Sequence, residues 1–248
     1  MKAIYPTALS RRPHRRNLRL FLIVAIALGL LKLMPLIIKQ ISFFGVYRVA
    51  TDEKVIALTY DDGPNPPYTE AMLAVLADYQ AKATFYVVGQ NVESYPETVR
   101  AVRAAGHELS NHSYEHKYMA FRSWGYITHE VDTTDQLLRD LGVAGQIDFR
   151  PPWGRRFFLL PLYLHQQHKR LVIWDVDTFD WEPEASPTDI AARVIEGIQP
   201  GSIILMHDGG GDRQRTVEAT NLILSQLTAA GYRFVTVAEL FELSKKSG

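Results

Sequence analysis

Two adjacent carboxylates follow a short apolar stretch near residue 60. Asp61 and Asp62 stand in the run TYDDGP, at the end of a segment that is predicted to be a buried strand. Neighbouring carboxylates repel each other and are costly to remove from water. A bound cation would relieve this cost by taking one carboxylate as a ligand and leaving the other free to act as a base. Taken alone, the run fits a solvated Asp-Gly-Pro turn better.

A pair of histidines lies further along the chain, in the run HSYEH. His112 and His116 are four residues apart, so in a helix they would share one face with their Cβ atoms about 5–6 Å apart. Together with one of the two aspartates they would supply two nitrogens and one oxygen. That set leaves positions open for water and substrate, as a catalytic metal site requires. The histidine pair alone is equally compatible with a structural role.

A third polar run, RPPWG, follows the fourth predicted strand. Arg150 beside an aspartate can hold the carboxylate ionised and oriented, and Trp153 could stack on the face of a sugar.

The fifth strand leads into the run DTFDW, and the sixth strand ends in ILMHD. Strand alternation places Leu205 and His207 on one face, an apolar side chain beside a candidate acid. One such run at each of these strand ends indicates a catalytic site.

The elements that position these runs are predicted from apolar, β-prone stretches that alternate with helical patterns. The predicted strands are Val55–Tyr60, Ala83–Val88, Glu108–Asn111, Asp148–Arg150, Leu171–Val176, Ser202–Met206 and Arg233–Val237. The predicted helices are Tyr68–Tyr79, Pro96–Ala105, Ile127–Leu141, Phe157–His168, Pro187–Ile198 and Arg215–Ala230. Continuous apolar strands joined by helices indicate a parallel α/β sheet, either a closed or incomplete barrel or a doubly wound sheet. In each case, the polar residues of the active site are expected at the carboxyl ends of the strands.

Composition and charge exclude several classes of function. The chain has 248 residues and no cysteine, which excludes disulfides, thiolate metal ligands and a cysteine nucleophile. Eight of the 27 basic residues lie in residues 1–40, which leaves 19 basic against all 27 acidic residues in the remainder. An acidic body of this kind argues against nucleic acid as a partner.

The basic N-terminus precedes an apolar segment with the length of a membrane span. Leu20–Ile38 has 19 residues, close to the roughly 20 that a helix needs to cross a bilayer. Arginines before the span place the N-terminus in the cytoplasm. The sequence therefore predicts a basic cytoplasmic tail (1–19), a transmembrane anchor (20–38), a linker (39–51) and an extracytoplasmic catalytic domain (52–243). A cleaved signal peptide with Leu20–Leu31 as its core, giving a secreted or periplasmic protein, and an interfacial helix marked by Lys32 are the alternatives.

The five runs TYDDGP, HSYEH, RPPWG, DTFDW and ILMHD resemble, in this order, the five motifs of the polysaccharide deacetylase family (NodB-homology domain, carbohydrate esterase family 4). The resemblance covers about residues 54–240. It implies a distorted, incomplete (β/α)7 barrel. It also implies a divalent metal, usually zinc in this family, held by Asp62, His112 and His116. Asp61 would be the catalytic base, and Arg150 would orient it.

The same resemblance assigns the remaining site residues. His207 resembles the general acid of the family, with Asp180 tuning its pKa. Trp153, Trp181 and Leu205 would line the substrate pocket. The implied reaction is hydrolysis of N-acetyl groups on a polysaccharide that contains N-acetylglucosamine, either peptidoglycan or a chitin-like polymer.

Three other functions remain open at this stage. An O-acetyl esterase acting on xylan or another glycan would use the same residues, because an alkoxide needs less protonation to leave than an amine does. A non-catalytic glycan-binding domain would not require Asp61, Arg150 and His207 together. An iron oxygenase with two histidines and one carboxylate shares the ligand types, but the barrel-like βα alternation disfavours it. The expected partners are a glycan polymer and, through the N-terminal helix, a membrane.

Overall fold

The structure, a computed structural model, describes residues 45–246. The predicted basic tail, the predicted span Leu20–Ile38 and residues 39–44 of the predicted linker lie outside this range. Within residues 45–246, none of the helices has the length and apolar character needed to cross a bilayer.

Strands and helices alternate along the described chain. The strands are β1 Val55–Asp61, β2 Ala83–Val87, β3 Glu108–Asn111, β4 Val176–Asp177, β5 Ile203–His207 and β6 Arg233–Phe234. The α-helices are α1 Tyr68–Asp78, α2 Gly89–Ser94, α3 Pro96–Ala104, α4 Trp124–Asp140, α5 Leu159–Gln166, α6 Pro187–Gly197, α7 Gln214–Ala229 and α8 Val237–Lys246. A 3-10 turn covers Pro152–Gly154.

The strands form one parallel sheet that curves into a barrel-like shape. Their order is β3-β2-β1-β5-β4, and β6 pairs with the start of β1. Beyond β3 the pairing continues through Phe149, which bridges Asn111 on one side and Leu171 on the other. The α/β fold with a parallel sheet is therefore confirmed. All carboxyl ends of the strands meet at one rim, as parallel pairing requires.

Residues of β1 point alternately into the barrel and out towards the helices. Ile56, Leu58 and Tyr60 join the outer core with α1 and α7, and the Tyr60 hydroxyl lies 3.1 Å from Thr220 Oγ1 on α7. The intervening side chains face inward, where Thr59 and Asp61 both contact one arginine. Because both faces are covered, all seven residues of β1 are buried. Strand alternation thus places Asp61 at the inner rim.

Two predicted strands are shorter than expected. The segment Asp148–Arg150 is reduced to single bridges at Phe149, and of Leu171–Val176 only the last residue belongs to β4. Pro151 follows directly and has no N–H with which to extend a ladder.

The C-terminal segment also differs from the prediction. The expected strand Arg233–Val237 ends at Phe234, and helix α8 starts at Val237. The side chain of Glu239 accepts a hydrogen bond from Thr236 N at 2.9 Å, and Thr236 Oγ1 accepts one from Glu239 N at 3.1 Å. This reciprocal pair is a capping box, which favours a helix start over continued strand. Helix α2 was likewise not predicted.

Candidate active site

A cleft of about 450 Å³ opens at the carboxyl ends of the strands. It is lined by Asp61, Asp62, His112, His116, Trp153, Arg155, Trp174, Asp177, Trp181, Leu205, His207 and Arg213. Eight of the ten site residues predicted from the sequence line this cleft. The other two, Arg150 and Asp180, lie directly behind it and contact Asp61 and His207.

Arg150 fixes the first aspartate. It is fully buried, and its Nη1 donates to Asp61 Oδ1 at 2.7 Å and to Thr59 Oγ1 at 2.7 Å. Its Nη2 donates to Ile173 O at 3.0 Å, and the guanidinium lies 4.0 Å from the centre of the Tyr86 ring. These contacts hold Asp61 in one orientation, with Oδ2 directed to His112 Nε2 at 3.6 Å.

Asp62, His112 and His116, here called the ligand triad, offer three donor atoms within 4.8 Å of one another. Asp62 Oδ1 lies 3.3 Å from His112 Nε2 and 2.9 Å from His116 Nε2. This oxygen is buried and accepts no hydrogen bond. A cation between the two imidazoles would satisfy it, and two nitrogens with one carboxylate oxygen form a donor set typical of catalytic zinc. The residues present therefore fit a divalent metal.

The neighbours of His112 fix which of its nitrogens faces the triad. His112 Nδ1 lies 2.8 Å from Arg150 O, and a carbonyl oxygen can only accept. Nδ1 therefore carries the proton, which leaves the lone pair of Nε2 free for a metal.

The histidine pair is not helical, contrary to the geometry considered from the sequence. Ser113 and His116 have positive φ values of 69° and 52°. The carboxylate of Glu130 on α4 accepts from the amides of Tyr114 and Glu115 at 3.0 and 2.9 Å. These bonds hold the loop in a tight turn that brings both imidazoles to the same side.

His207 and Asp180, here called the acid pair, lie across the cleft. His207 Nδ1 is 2.7 Å from Asp180 Oδ1, and the His207 amide donates to Asp180 Oδ2 at 2.8 Å. Burial would lower the pKa of His207, but the hydrogen bond and charge of Asp180 outweigh it and raise the pKa to about 9. Burial likewise opposes ionisation of Asp180, yet its bond to His207 keeps the pKa of Asp180 below the usual range. His207 is thus positively charged at neutral pH.

Aromatic side chains form the walls. Trp153 lies in the left-handed region with φ 53°, is 54% exposed, and its ring centre is 4.6 Å from that of His116. Trp181 is equally exposed, and Leu205 forms a buried apolar floor.

Several supporting residues escaped the sequence analysis. Thr216 Oγ1 donates to Asp180 Oδ2 at 2.9 Å, and the buried Arg213 lines the cleft. Asp208 lies behind the turn at residues 61–62, where Thr69 Oγ1 donates to its Oδ2 at 2.6 Å. Burial raises the pKa of Asp208 to about 7.

Comparisons with known proteins show the family of this chain. The family model described as polysaccharide deacetylase matches residues 48–161, which include the first three motifs. A peptidoglycan-N-acetylglucosamine deacetylase of Bacillus cereus is 36% identical over 198 residues, which cover 78% of this chain and 91% of the relative. The chain therefore belongs to the polysaccharide deacetylase family.

Solved structures show the same fold. The Bc1960 peptidoglycan N-acetylglucosamine deacetylase, in complex with a benzamide-type ligand, superposes with a TM-score of 0.76 at 32% identity, covering 79% of this chain and 92% of that one. A family 4 acetyl xylan esterase from Clostridium thermocellum, in complex with a cobalt ion, gives a TM-score of 0.71 at 35% identity, covering 77% and 91%.

Proposed function

We propose that this protein is a metal-dependent hydrolase that removes N-acetyl groups from a polysaccharide containing N-acetylglucosamine, with peptidoglycan as the foremost substrate. One observation carries the proposal: a single cleft places the Arg150-bound Asp61, the ligand triad and the acid pair around one space. Relatives named for peptidoglycan deacetylation support the choice of polymer.

Each group has a distinct task in amide hydrolysis. A divalent metal on the ligand triad, for which we propose zinc, supplies a Lewis acid that lowers the pKa of water and polarises a carbonyl. Asp61 accepts the proton of the attacking water, because the hydrogen bond from Arg150 holds its carboxylate aimed into the cleft. His207 donates a proton to the departing amine nitrogen. Leu205 offers apolar contact to the acetyl methyl group, and Trp153 stacks on a sugar ring.

Hydrolysis of O-acetyl esters is the second candidate. The similarity to an acetyl xylan esterase favours it, and the same residues would suffice. A leaving amine needs protonation more than a leaving alkoxide does, so a His207 that remains charged up to about pH 9 suits the amide reaction better.

For location, we propose a single-pass anchor at Leu20–Ile38 with the catalytic domain outside the cytoplasm. The length of this segment and the arginines before it support the proposal. Protease added to intact cells would remove a domain placed outside. A domain that stays protected in intact cells but is cut after lysis would contradict this location.

Acetate release tests the proposed reaction. Residues 44–248 form a compact unit with its own hydrophobic core, so they can be produced without the predicted span. This domain would be offered peptidoglycan, chitooligosaccharides and acetylated xylan, with and without chelator. Acetate from an amino-sugar substrate that is lost with chelator and in Asp62→Ala supports the proposal. Release from xylan alone assigns an esterase, and no release from any substrate by the metal-loaded protein overturns both.

A further inference from the structure

An exposed aromatic surface is formed by residues that do not line the catalytic cleft. Phe121, Phe157 and Phe158 are 81%, 51% and 58% exposed, and the ring centres of Phe121 and Phe157 are 4.3 Å apart. We call these three residues the phenyl patch. Soluble domains seldom expose adjacent large apolar side chains unless the surface binds something.

The patch surrounds an apolar groove of about 240 Å³. Its lining residues are Met119, Phe121, Arg122, Ile127, Phe157, Phe158, Leu159 and Leu160. Only Arg122 among them has a polar side chain. A sugar carries hydroxyl groups around its ring that need hydrogen-bonding partners, so this groove suits an apolar occupant better than a glycan.

The charge around the patch is positive. The two segments that carry it, residues 117–127 and 153–163, contain four basic residues and no acid, although the rest of the chain after residue 40 is acidic. Of these four, only Arg122 lines the groove, and it forms no ion pair with a carboxylate of residues 45–246. Lys117 pairs with Glu115 at 2.9 Å, and Arg156 donates to the Tyr47 hydroxyl. Exposed phenyl rings beside the unpaired Arg122 complement a surface that is apolar inside and anionic outside, as an anionic phospholipid bilayer is.

The backbone at Phe121 indicates that the ring itself is needed. Phe121 has a φ of 60°, in the left-handed region that favours glycine and asparagine over bulky residues. Because the ring is 81% exposed, its packing in the core does little to offset this backbone strain. Strained residues of this kind cluster at functional sites.

The described chain begins at this surface. The Tyr47 hydroxyl accepts a hydrogen bond from Arg156, and Val46 N donates to Leu171 O at 2.8 Å. The proposed span ends at Ile38, and the intervening residues 39–44 reach at most about 25 Å when fully extended. Under the proposed anchoring, the domain is tethered to a membrane by this short segment, so lipid is an available partner.

We propose that the phenyl patch and Arg122 dock onto an anionic phospholipid bilayer. Phe121 and Phe157 enter the headgroup region, and Arg122 faces lipid phosphates. This binding is separate from hydrolysis and requires no metal, so its test does not depend on the proposed reaction.

Co-sedimentation of the domain 44–248 with vesicles tests the docking. Vesicles of phosphatidylcholine alone are compared with vesicles that contain equal parts of phosphatidylcholine and phosphatidylglycerol. We expect binding to the anionic vesicles that weakens with added salt. Phe121→Asn combined with Phe157→Ser lowers the partition coefficient at least about tenfold, because two rings no longer leave water. Arg122→Gln lowers it a few-fold, in proportion to one lost charge near the surface.

Two control variants test whether a loss of vesicle binding is specific to the phenyl patch. Tyr95→Asn removes a ring that is 45% exposed at the junction of α2 and α3, and Arg100→Gln removes an exposed charge on α3; both retain full binding. Asparagine suits the backbone of Phe121, so the single variant Phe121→Asn keeps its melting temperature. Equal sedimentation of wild type and the double variant overturns the proposal. The proposal is also overturned if the double variant binds vesicles like wild type but has a raised KM for chitooligosaccharides. That result would make the surface a glycan subsite.

Discussion

Two arginine–aspartate pairs lie at opposite ends of the barrel, and of these two only the Arg150 pair faces the catalytic cleft. At the carboxyl ends of the strands, Arg150 Nη1 donates to Asp61 at 2.7 Å. At the amino ends, Arg170 Nε donates to both oxygens of Asp148 at 2.8 and 2.9 Å. The first carboxylate opens onto the ligand triad, whereas the second has Glu108 as its charged neighbour. The cavity beside Asp61 is therefore what makes the Arg150 pair, and not the Arg170 pair, a candidate for catalysis.

The amino-end pair has the chemistry of a structural cluster. Glu108 Oε2 accepts from Thr84 Oγ1 at 2.8 Å and from the Ala238 amide at 2.9 Å, which fastens α8 across this end. Burial, with the charge of Asp148 second, raises the pKa of Glu108 to about 7. The cluster therefore joins a helix to the sheet and resists full ionisation.

The largest effect that separates the two ends is expected when the ligand triad is broken. Asp62→Ala removes the oxygen between His112 and His116, so acetate release falls about 10³-fold or more and the bound divalent metal is lost. Metal content by mass spectrometry and acetate release measure both. Glu218→Ala, an exposed acid on α7, serves as control and keeps both. Full activity in Asp62→Ala would contradict the view that the carboxyl end of the barrel is catalytic and the amino end structural.

The acid pair gives a pH test at the cleft end. His207 must be protonated to act as an acid, so kcat falls as the pH rises through about 9. Asp180→Asn removes the carboxylate that raises this pKa, so the alkaline limb moves to lower pH and kcat at pH 8 falls about 10- to 100-fold. The kcat profile of wild type and variant between pH 6 and 10 measures this. An alkaline limb that stays in place would contradict the role of the pair.

Breaking the amino-end pair is expected to affect stability alone. Arg170→Met leaves Asp148 without its hydrogen-bonded guanidinium and beside Glu108, which lowers the free energy of unfolding at pH 7 by about 2–4 kcal/mol. Methionine keeps the apolar contact with the Phe241 ring, which lies 4.2 Å from the guanidinium. Urea unfolding and kcat are measured on the same preparations. A loss of kcat comparable to that of Asp62→Ala would show that both ends serve catalysis.

The smallest expected effect is a change in the pH dependence of stability. The pKa of Glu108 rises from 4.5 to about 7 on folding, so the folded state binds more protons between these values. The resulting stability is fully present below pH 4.5 and is lost as the pH rises through 7. Glu108→Gln stays neutral, so it gains about 2–3 kcal/mol relative to wild type between pH 5 and pH 8. Urea unfolding at both pH values, with Glu218→Gln as control, measures it; a constant difference would refute the shift.

The sequence predicted the residues of the cleft better than their local geometry. Strand alternation correctly placed Leu205 and His207 on one face, because period two holds wherever a strand exists. The helical spacing considered for His112 and His116 was wrong, since their turn depends on Glu130, a residue distant in sequence. A local sequence pattern does not predict a contact between residues so far apart in the chain.

The C-terminal helix shows the opposite case, in which a local signal was present. Thr236 and Glu239 form a capping box that is readable from their spacing. The β-branched run around Val235 and Val237 outweighed that signal and favoured a strand.

The role of Asp61 is the central claim, and one substitution tests it most directly. Asp61→Asn keeps the shape of the side chain and leaves the ligand triad intact, so the protein should still bind one divalent ion. Acetate release from a chitooligosaccharide by the metal-loaded variant is expected to fall about 10²- to 10⁴-fold below wild type. A metal-loaded Asp61→Asn protein that releases acetate at the wild-type rate would contradict the account.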